Sequence, residues 1–212
     1  MLRHLAILGT ILLPLVAGDT KLLPILRDLD GHPVSPLASS PGTRGVILFF
    51  VAPDCPISNR YAPTMARIAR DAHAHGITTW LIYADDQADI AVIKKHQSDF
   101  SLPLPTAVDH EYLLTNYTGA AVTPEAIVYL PSLAPEEPPR LIYRGRIDDQ
   151  YEGFGRYRPF PTRSELVATL DQIIAGSPPD IPIFTKAIGC YIPPPLARPL
   201  VLDSLSAHCL PM

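Results

Sequence analysis

The 212-residue sequence predicts an α/β fold: a central mixed sheet flanked by helices, with an N-terminal β-hairpin and a Pro-rich C-terminal extension. Three observations carry this prediction. Residues 45–52 (GVILFFVA) and 77–84 (ITTWLIYA) are continuous apolar, β-rich runs, the pattern of strands buried on both faces. A helix-period segment follows each run, so strand and helix alternate and parallel pairing is favoured. Late in the chain, TPEAIVYL (123–130) and RLIYRGRID (140–148) flank only the turn PSLAPEEPP. They predict an antiparallel hairpin, which makes the sheet mixed.

The elements follow in order. Residues 23–38 (LPILRDLDGHPVSPLA) place the turn dipeptide Asp30-Gly31 between short apolar segments and predict the hairpin. After the first buried strand, SNRYAPTMARIARDAHAHG predicts a helix capped by Ser58 or Asn59 and ended at Gly76, with Met65, Ile68, Ala69 and Ala72 on one face. After the second, DDQADIAVIKKHQSDF predicts a helix with acidic residues at its start. LPLPTAVDH reads as a short edge-like strand limited by two prolines. A short helix is predicted around 111–117. Residues 162–176 predict an amphipathic helix capped by Ser164. Proline totals 25, about twice ordinary usage, and many lie beyond Ser177, where the chain is expected to be extended and irregular.

Composition bounds the function. The chain is 47% hydrophobic, enough for one substantial core. Its net charge is -4 and its Lys and Arg are scattered, with no basic stripe for nucleic acid. The start, MLRHLAILGTILLPLVAGDT, has a basic n-region (Arg3, His4), an apolar h-region and small residues near Ala17 and Gly18. Residues 1–18 therefore read as a signal peptide, with a buried N-terminal helix as the alternative. The apolar run is too short for a comfortable membrane span, so no stable span is expected after cleavage. The expected location is the periplasm or the extracellular space, where disulfides persist. The remainder divides into one domain over 19–176 and an extension over 177–212 that carries Cys190.

The cysteines are Cys55, Cys190 and Cys209. None forms a C-x-x-C pair, and no local Cys/His spacing supports a metal site, so neither metal nor cofactor is expected. Cys55 sits where a buried strand hands over to a helix. A helix N-terminus carries partial positive charge and unpaired N–H groups. Both stabilise a thiolate, the nucleophile of thiol–disulfide exchange. The alternative is an inert core cysteine. The flanking prolines and polar Asp54, Ser58 and Asn59 argue against a core position.

FFVAPDCPIS resembles the thioredoxin-like redoxins, the superfamily of thioredoxins, exported TlpA-like reductases and AhpC/TSA peroxiredoxins. Those carry an apolar strand, a segment ending Cys-Pro-x-Cys, and a helix. By this resemblance Cys55 matches the attacking cysteine and Pro56 the proline after it, while Ser58 stands at the resolving cysteine. DLDGHPVSPL is similar to the family's N-terminal hairpin. VTPEAIVYL is similar to its cis-proline strand, with Pro124 matching the cis-proline and Thr123 the residue before it. YRGRIDDQY and IGCYIP resemble segments of exported members. The resemblance spans residues 22–192 and implies a thioredoxin-like fold, with Pro56, Ser58, Thr123 and Pro124 lining a substrate site. From the residues alone, Pro124 is equally a trans proline opening an edge strand.

The sequence departs from the family at several points. Ser58 cannot close a local disulfide. Ala52 stands where peroxiredoxins place Thr. Val51 fills the first cysteine of the copper-chaperone pattern Cys-x-x-x-Cys-Pro. Asp54 replaces a Trp, and a carboxylate beside a thiolate raises its pKa. Cys190 is then the candidate partner of Cys55, and Gly189 permits close backbone approach there. It either resolves a mixed disulfide, or forms a structural bond closing a loop of about 135 residues and stabilising by up to about 5 kcal/mol, or never meets Cys55. Cys209 is expected to be a free thiol or an intermolecular partner.

Other polar groups read as structural. Asp85, Asp86 and Asp89 suit a helix N-terminus, and His73 and His75 a helix C-terminus. Asp148 and Asp149 are expected to pair with Arg144 and Arg146, with a site role as the alternative. Tyr61 and Asn59, near Cys55, are candidates to line its pocket, with a core position as the alternative for Tyr61. The expected function is an exported thiol–disulfide oxidoreductase acting on protein or small-molecule thiols and disulfides. Alternatives are a non-catalytic binding or assembly module of the cell envelope, and a peroxidase-like or metal-carrying redoxin.

Overall fold

The computed structural model describes residues 22–38, 40–132, 134 and 137–194. The predicted signal peptide, Cys209 and the end of the extension lie outside them. In chain order the elements are β1 (Leu26–Arg27), β2 (Pro33–Val34), β3 (Gly45–Phe50), α1 (Pro56–His73), β4 (Ile77–Tyr83), α2 (Ile90–Asp99), β5 (Thr106–Val108) and α3 (Leu113–Thr118). Then follow β6 (Val122–Thr123), β7 (Glu125–Leu130), β8 (Arg140–Gly145), β9 (Tyr151–Gly153), β10 (Arg156–Tyr157), α4 (Glu165–Ile174), β11 (Ile183–Phe184) and β12 (Cys190–Tyr191).

Eight strands form one mixed sheet in the order β11-β8-β7-β3-β4-β5-β1-β2. β3, β4 and β5 run parallel, whereas β7 lies antiparallel to β3 and β8 antiparallel to β7. The architecture is the thioredoxin-like one. Alternation along β3 divides the core between the two faces of the sheet. Ile47 and Phe49 join Met65 of α1 and Leu166 and Leu170 of α4, whereas Val46, Leu48 and Phe50 join Leu114 of α3. With both faces covered, β3 can be apolar at every position, as its sequence is.

Two expectations are corrected here. Residues 106–108 are not an edge strand: β5 lies between β4 and the β1–β2 hairpin. The prolines precede the paired segment, so they remove no ladder bond from it. The strand expected over 123–130 is split at Pro124, with β7 in the main sheet and β6 paired elsewhere.

The helix after β3 also begins earlier than Ser58 or Asn59. Its N-cap is Cys55, and Pro56 occupies the first turn, where its missing N–H costs nothing and its fixed φ suits the helix. Gly76 follows the helix with φ +75°, a left-handed position that glycine tolerates. Ser164 is the N-cap residue of α4, but its hydroxyl donates to Ile147 O instead of capping.

Candidate active site

Chain order places Cys55 at the end of β3. Val51 leaves the sheet with its N–H still bonded to Ile82 O, and the turn over 52–55 closes with Cys55 N donating to Ala52 O. Cys55 is extended (φ -86°, ψ 105°), and its Sγ accepts the Ser58 N–H at 3.4 Å as the cap of α1. Contrary to expectation, Cys55 is a core position: its exposure is 0%, and it packs within the apolar cluster of α1 and β3. The flanking polar residues do not uncover it, because Asp54 and Pro56 point outward while the sulfur turns in under the 122–124 segment.

Opposite lies the Thr123–Pro124 peptide, which is cis. Thr123 O accepts a hydrogen bond from the Cys55 thiol at 3.0 Å. β12 pairs antiparallel with β6, setting Cys190 against Thr123 and Tyr191 against Val122. Gly189 makes this approach feasible: a Cβ there would stand 2.1 Å from Thr123 O, so no other residue fits without displacing the strand. The pairing delivers Cys190 to Cys55, and the two sulfurs, both free thiols, interact.

Their electrostatics diverge. Burial acts to raise the Cys55 pKa, but hydrogen bonding with the Cys190 and Thr123 side chains and the Ser58 N–H outweighs it, and the group lies below the ordinary thiol value. The Thr123 carbonyl, which accepts the thiol proton, works in the opposite sense. The pKa of Cys190 is pushed up to about 12 by burial, by its hydrogen bond with Cys55, and by the charges of Cys55 and Asp54. Asp54 therefore acts against ionisation of Cys190, the more distant thiol in sequence. Of the two thiols, Cys55 is therefore the one that ionises more readily.

The residues expected to line a substrate site separate. Thr123 lies beside both sulfurs and lines a cavity of about 310 Å³ with Cys190, Tyr191, Asp54 and Val92. Pro124 is buried. Pro56 is exposed on the first turn of α1. Ser58 is 1% exposed, beneath Cys55, with no hydrogen-bond partner for its hydroxyl.

Asn59 and Tyr61 serve the framework. Asn59 Nδ2 donates to Pro53 O at 3.0 Å, which leaves its Oδ1 to accept from His96 Nε2 at 2.7 Å. The His96 proton is then on Nε2, and Nδ1 accepts from the Tyr83 hydroxyl at 2.7 Å. Burial lowers the His96 pKa, in keeping with this neutral ring. The chain Tyr83–His96–Asn59–Pro53 fixes the turn before Cys55. Nothing in the sequence flags it, since its members come from β4, α2, α1 and the turn.

Asp148 and Asp149 do not pair with Arg144 and Arg146, which instead bond Glu125 and Glu165. Tyr61 donates to Asp148 at 2.5 Å, and Gln150 N does so at 2.9 Å. Asp149 receives Thr162 N and Oγ1 at 2.6 Å each, Arg163 N at 2.9 Å and Arg158 Nη1 at 3.1 Å. These bonds, the Thr162 hydroxyl foremost, hold its carboxyl well below the usual range. Asp149 locks the segment leading into α4, and Asp148 ties the turn at Gln150 to Tyr61 of α1. Glu125 was not anticipated: buried next to Pro124, it accepts from Ala121 N at 2.9 Å and pairs with Arg144 at 3.3 Å, bracing the cis-proline loop. Asp85 and Asp89 bond Gln87 N and Ala91 N at the start of α2, as their positions suggest.

Among the described residues, no group of three or more His, Cys, Asp or Glu could hold a metal ion, and no helix is long and apolar enough to cross a membrane.

No protein-family model matches the chain, and no curated protein sequence matches it. Solved structures do. An uncharacterized conserved protein from Geobacillus kaustophilus superposes with TM-score 0.63 at 22% identity, over 81% of this chain and 89% of that one. A hypothetical protein from Sinorhizobium meliloti 1021 gives TM-score 0.62 at 22% identity, over 87% and 95%. A secreted Mycobacterium tuberculosis disulfide oxidoreductase gives 0.47 at 18% identity, over 75% and 99%. At such identities the likeness is one of fold, and fold alone assigns no activity.

Proposed function

We propose that the chain is a thiol–disulfide oxidoreductase in which Cys55 is the attacking thiolate and Cys190 the resolving cysteine. The observation that carries this reading is the β12–β6 pairing, which brings Cys190 from the tail to the helix-capping Cys55 across the cis Thr123–Pro124 peptide. Cys55 attacks one sulfur of a substrate disulfide and releases the other as a thiolate. Cys190, once deprotonated, attacks Cys55 Sγ of the mixed disulfide, frees the second substrate sulfur and leaves a Cys55–Cys190 bond. Thr123 and Pro124 present a strand edge to the substrate, and Ser58 N–H supports the thiolate. Because β12 fills that edge and Cys55 is covered, the tail lifts from β6 before an extended substrate pairs there. Substrates are protein or small-molecule disulfides, encountered outside the cytoplasm on the strength of the signal-like residues 1–18.

Thiol labelling with peptide mapping across a redox titration tests this. A Cys55–Cys190 bond opening at roughly -270 to -120 mV, the range of redox-active pairs, is the expected result. A bond that resists reduction below about -300 mV makes the pair structural. The full burial of Cys55 favours one second reading, a binding module whose covered thiol never turns over. Failure to reduce a disulfide substrate with a dithiol reductant would select it.

A further inference from the structure

We infer that the two halves of the redox cycle use different sulfurs: Cys55 meets the substrate disulfide, but the reducing thiol enters the 310 Å³ cavity and attacks Cys190. This deepens the oxidoreductase reading and rests on it.

Access is the first argument. Cys55 is 0% exposed and does not line the cavity. Cys190 is half-buried and does line it, beside Thr123 and Tyr191, and Tyr191 is 81% exposed. In the reduced chain β12 is held by two paired residues and the seating of Gly189. Its departure uncovers Cys55 and frees the β6 edge together. Once Cys55 and Cys190 are bonded, the tail is tied to α1. The edge then stays filled, Cys55 stays covered, and the remaining sulfur with an open side is Cys190.

The leaving group is the second argument. A thiolate RS⁻ attacking Cys190 Sγ forms an RS–Cys190 bond, breaks the Cys55–Cys190 bond and sends the electron pair to Cys55. That anion is received by the Ser58 N–H at the start of α1. Attack on Cys55 would instead expel Cys190 as an anion next to Asp54. The lower-pKa thiol leaves faster. A second RS⁻ then attacks the R sulfur of the mixed disulfide. RSSR departs, Cys190 takes a proton from water, and two electrons have passed from two thiols to the protein.

The cavity also restricts the thiol. Its lining includes the apolar Val92 and Ile93 and the acidic Asp54, Asp85 and Asp89, and among the described residues no Lys or Arg lines it. With the β6 edge occupied, an extended peptide has no strand to pair with. A low-molecular-weight thiol that is neutral or cationic fits, and an anionic one is repelled.

The test uses the full-length Cys209→Ser protein, oxidised with diamide and then given excess 2-mercaptoethanol, cysteamine or 2-mercaptoethanesulfonate. Acid quenching followed by fragmentation mass mapping locates the adduct. Expected are adducts on Cys190, and rates per thiolate several-fold higher for the neutral and cationic thiols at low salt, converging as salt rises. Adducts on Cys55 overturn the inference while leaving the oxidoreductase reading standing, whereas a Cys55–Cys190 bond that forms but accepts no thiol is structural and overturns both. Equal rates for all three thiols at low salt overturn the charge selection. If diamide produces no Cys55–Cys190 bond, the oxidoreductase reading fails and the inference falls with it.

Discussion

Cys55 and Cys190 are the same chemical group in two opposite settings. Cys55 is made by neighbouring chain: β3 ends, a turn closes and α1 begins, all within a few residues. Its sulfur is buried, capped by an N–H and lowered in pKa. Cys190 is delivered from a distant tail by two paired residues and a glycine, is half-exposed, and is raised in pKa. The difference shows that neither setting acts alone: the helix start gives Cys55 the Ser58 N–H, and the docked tail adds the hydrogen bonding with Cys190 that lowers its pKa most. The frame belongs to the core, whereas the tail is seated by two paired residues and the close approach of Gly189.

The largest effect separates frame from tail. Phe49→Ala removes a fully buried side chain beneath the site and is expected to cost about 3–5 kcal/mol. Tyr191→Ala, at an exposed tail position, should cost within about 0.5 kcal/mol. Chemical denaturation measures both, and equal losses would mean that the tail is part of the frame.

Gly189→Val strikes the tail alone. Its Cβ would collide with Thr123 O. A clash costing about 1–3 kcal/mol undocks β12 and lowers the yield of the Cys55–Cys190 bond at least about fivefold. Gel-shift labelling of free thiols reads the yield, while the denaturation midpoint stays near that of the parent. A normal yield would show that the close approach is not required.

Cys190→Ala sharpens the electrostatic side. Hydrogen bonding with Cys190 is the largest influence holding Cys55 down, so its loss moves the Cys55 pKa up. Thiolate absorbance at 240 nm against pH measures this, with the parent ionising first at Cys55, below the ordinary thiol value. An unchanged titration would leave the Thr123 side chain and the Ser58 N–H at the helix terminus as the cause.

The smallest effect belongs to the frame. The Asp149 carboxyl is depressed by bonds it makes only when folded. Its stabilisation is present above the unfolded aspartate pKa of about 3.9 and is lost as pH falls below it toward the folded value. Asp149→Asn should therefore flatten the decline of Tm below about pH 4 relative to the parent. A parallel decline would assign the acid sensitivity to other carboxylates.

How much was legible follows the same division. β3, β4 and α1 were readable because apolar periodicity reports burial along a single segment. Asp89 was placed at its helix start for the same local reason. The cis Thr123–Pro124 peptide was legible only through the resemblance of VTPEAIVYL to a known strand. Burial of Cys55 was not readable, because the residues that cover it, Thr123 and the 189–191 segment, are far away in sequence. The interior place of β5, the partners of Asp148 and Asp149, and the Tyr83–His96–Asn59–Pro53 chain were hidden likewise. Each depends on which strands lie side by side.

By itself the sequence determined the α/β alternation, the apolar strands of the sheet and the placing of a cysteine at a helix start. These follow from the periods of helix and strand and from the unpaired N–H groups of a first turn, which act over a few residues. Tertiary structure alone decided that Cys190 reaches Cys55, that the thiols shift in opposite directions, and that the tail fills the cis-proline edge. Those outcomes are set by distances between segments far apart in the chain, where hydrogen bonds, charges and steric contact act through space rather than along the backbone.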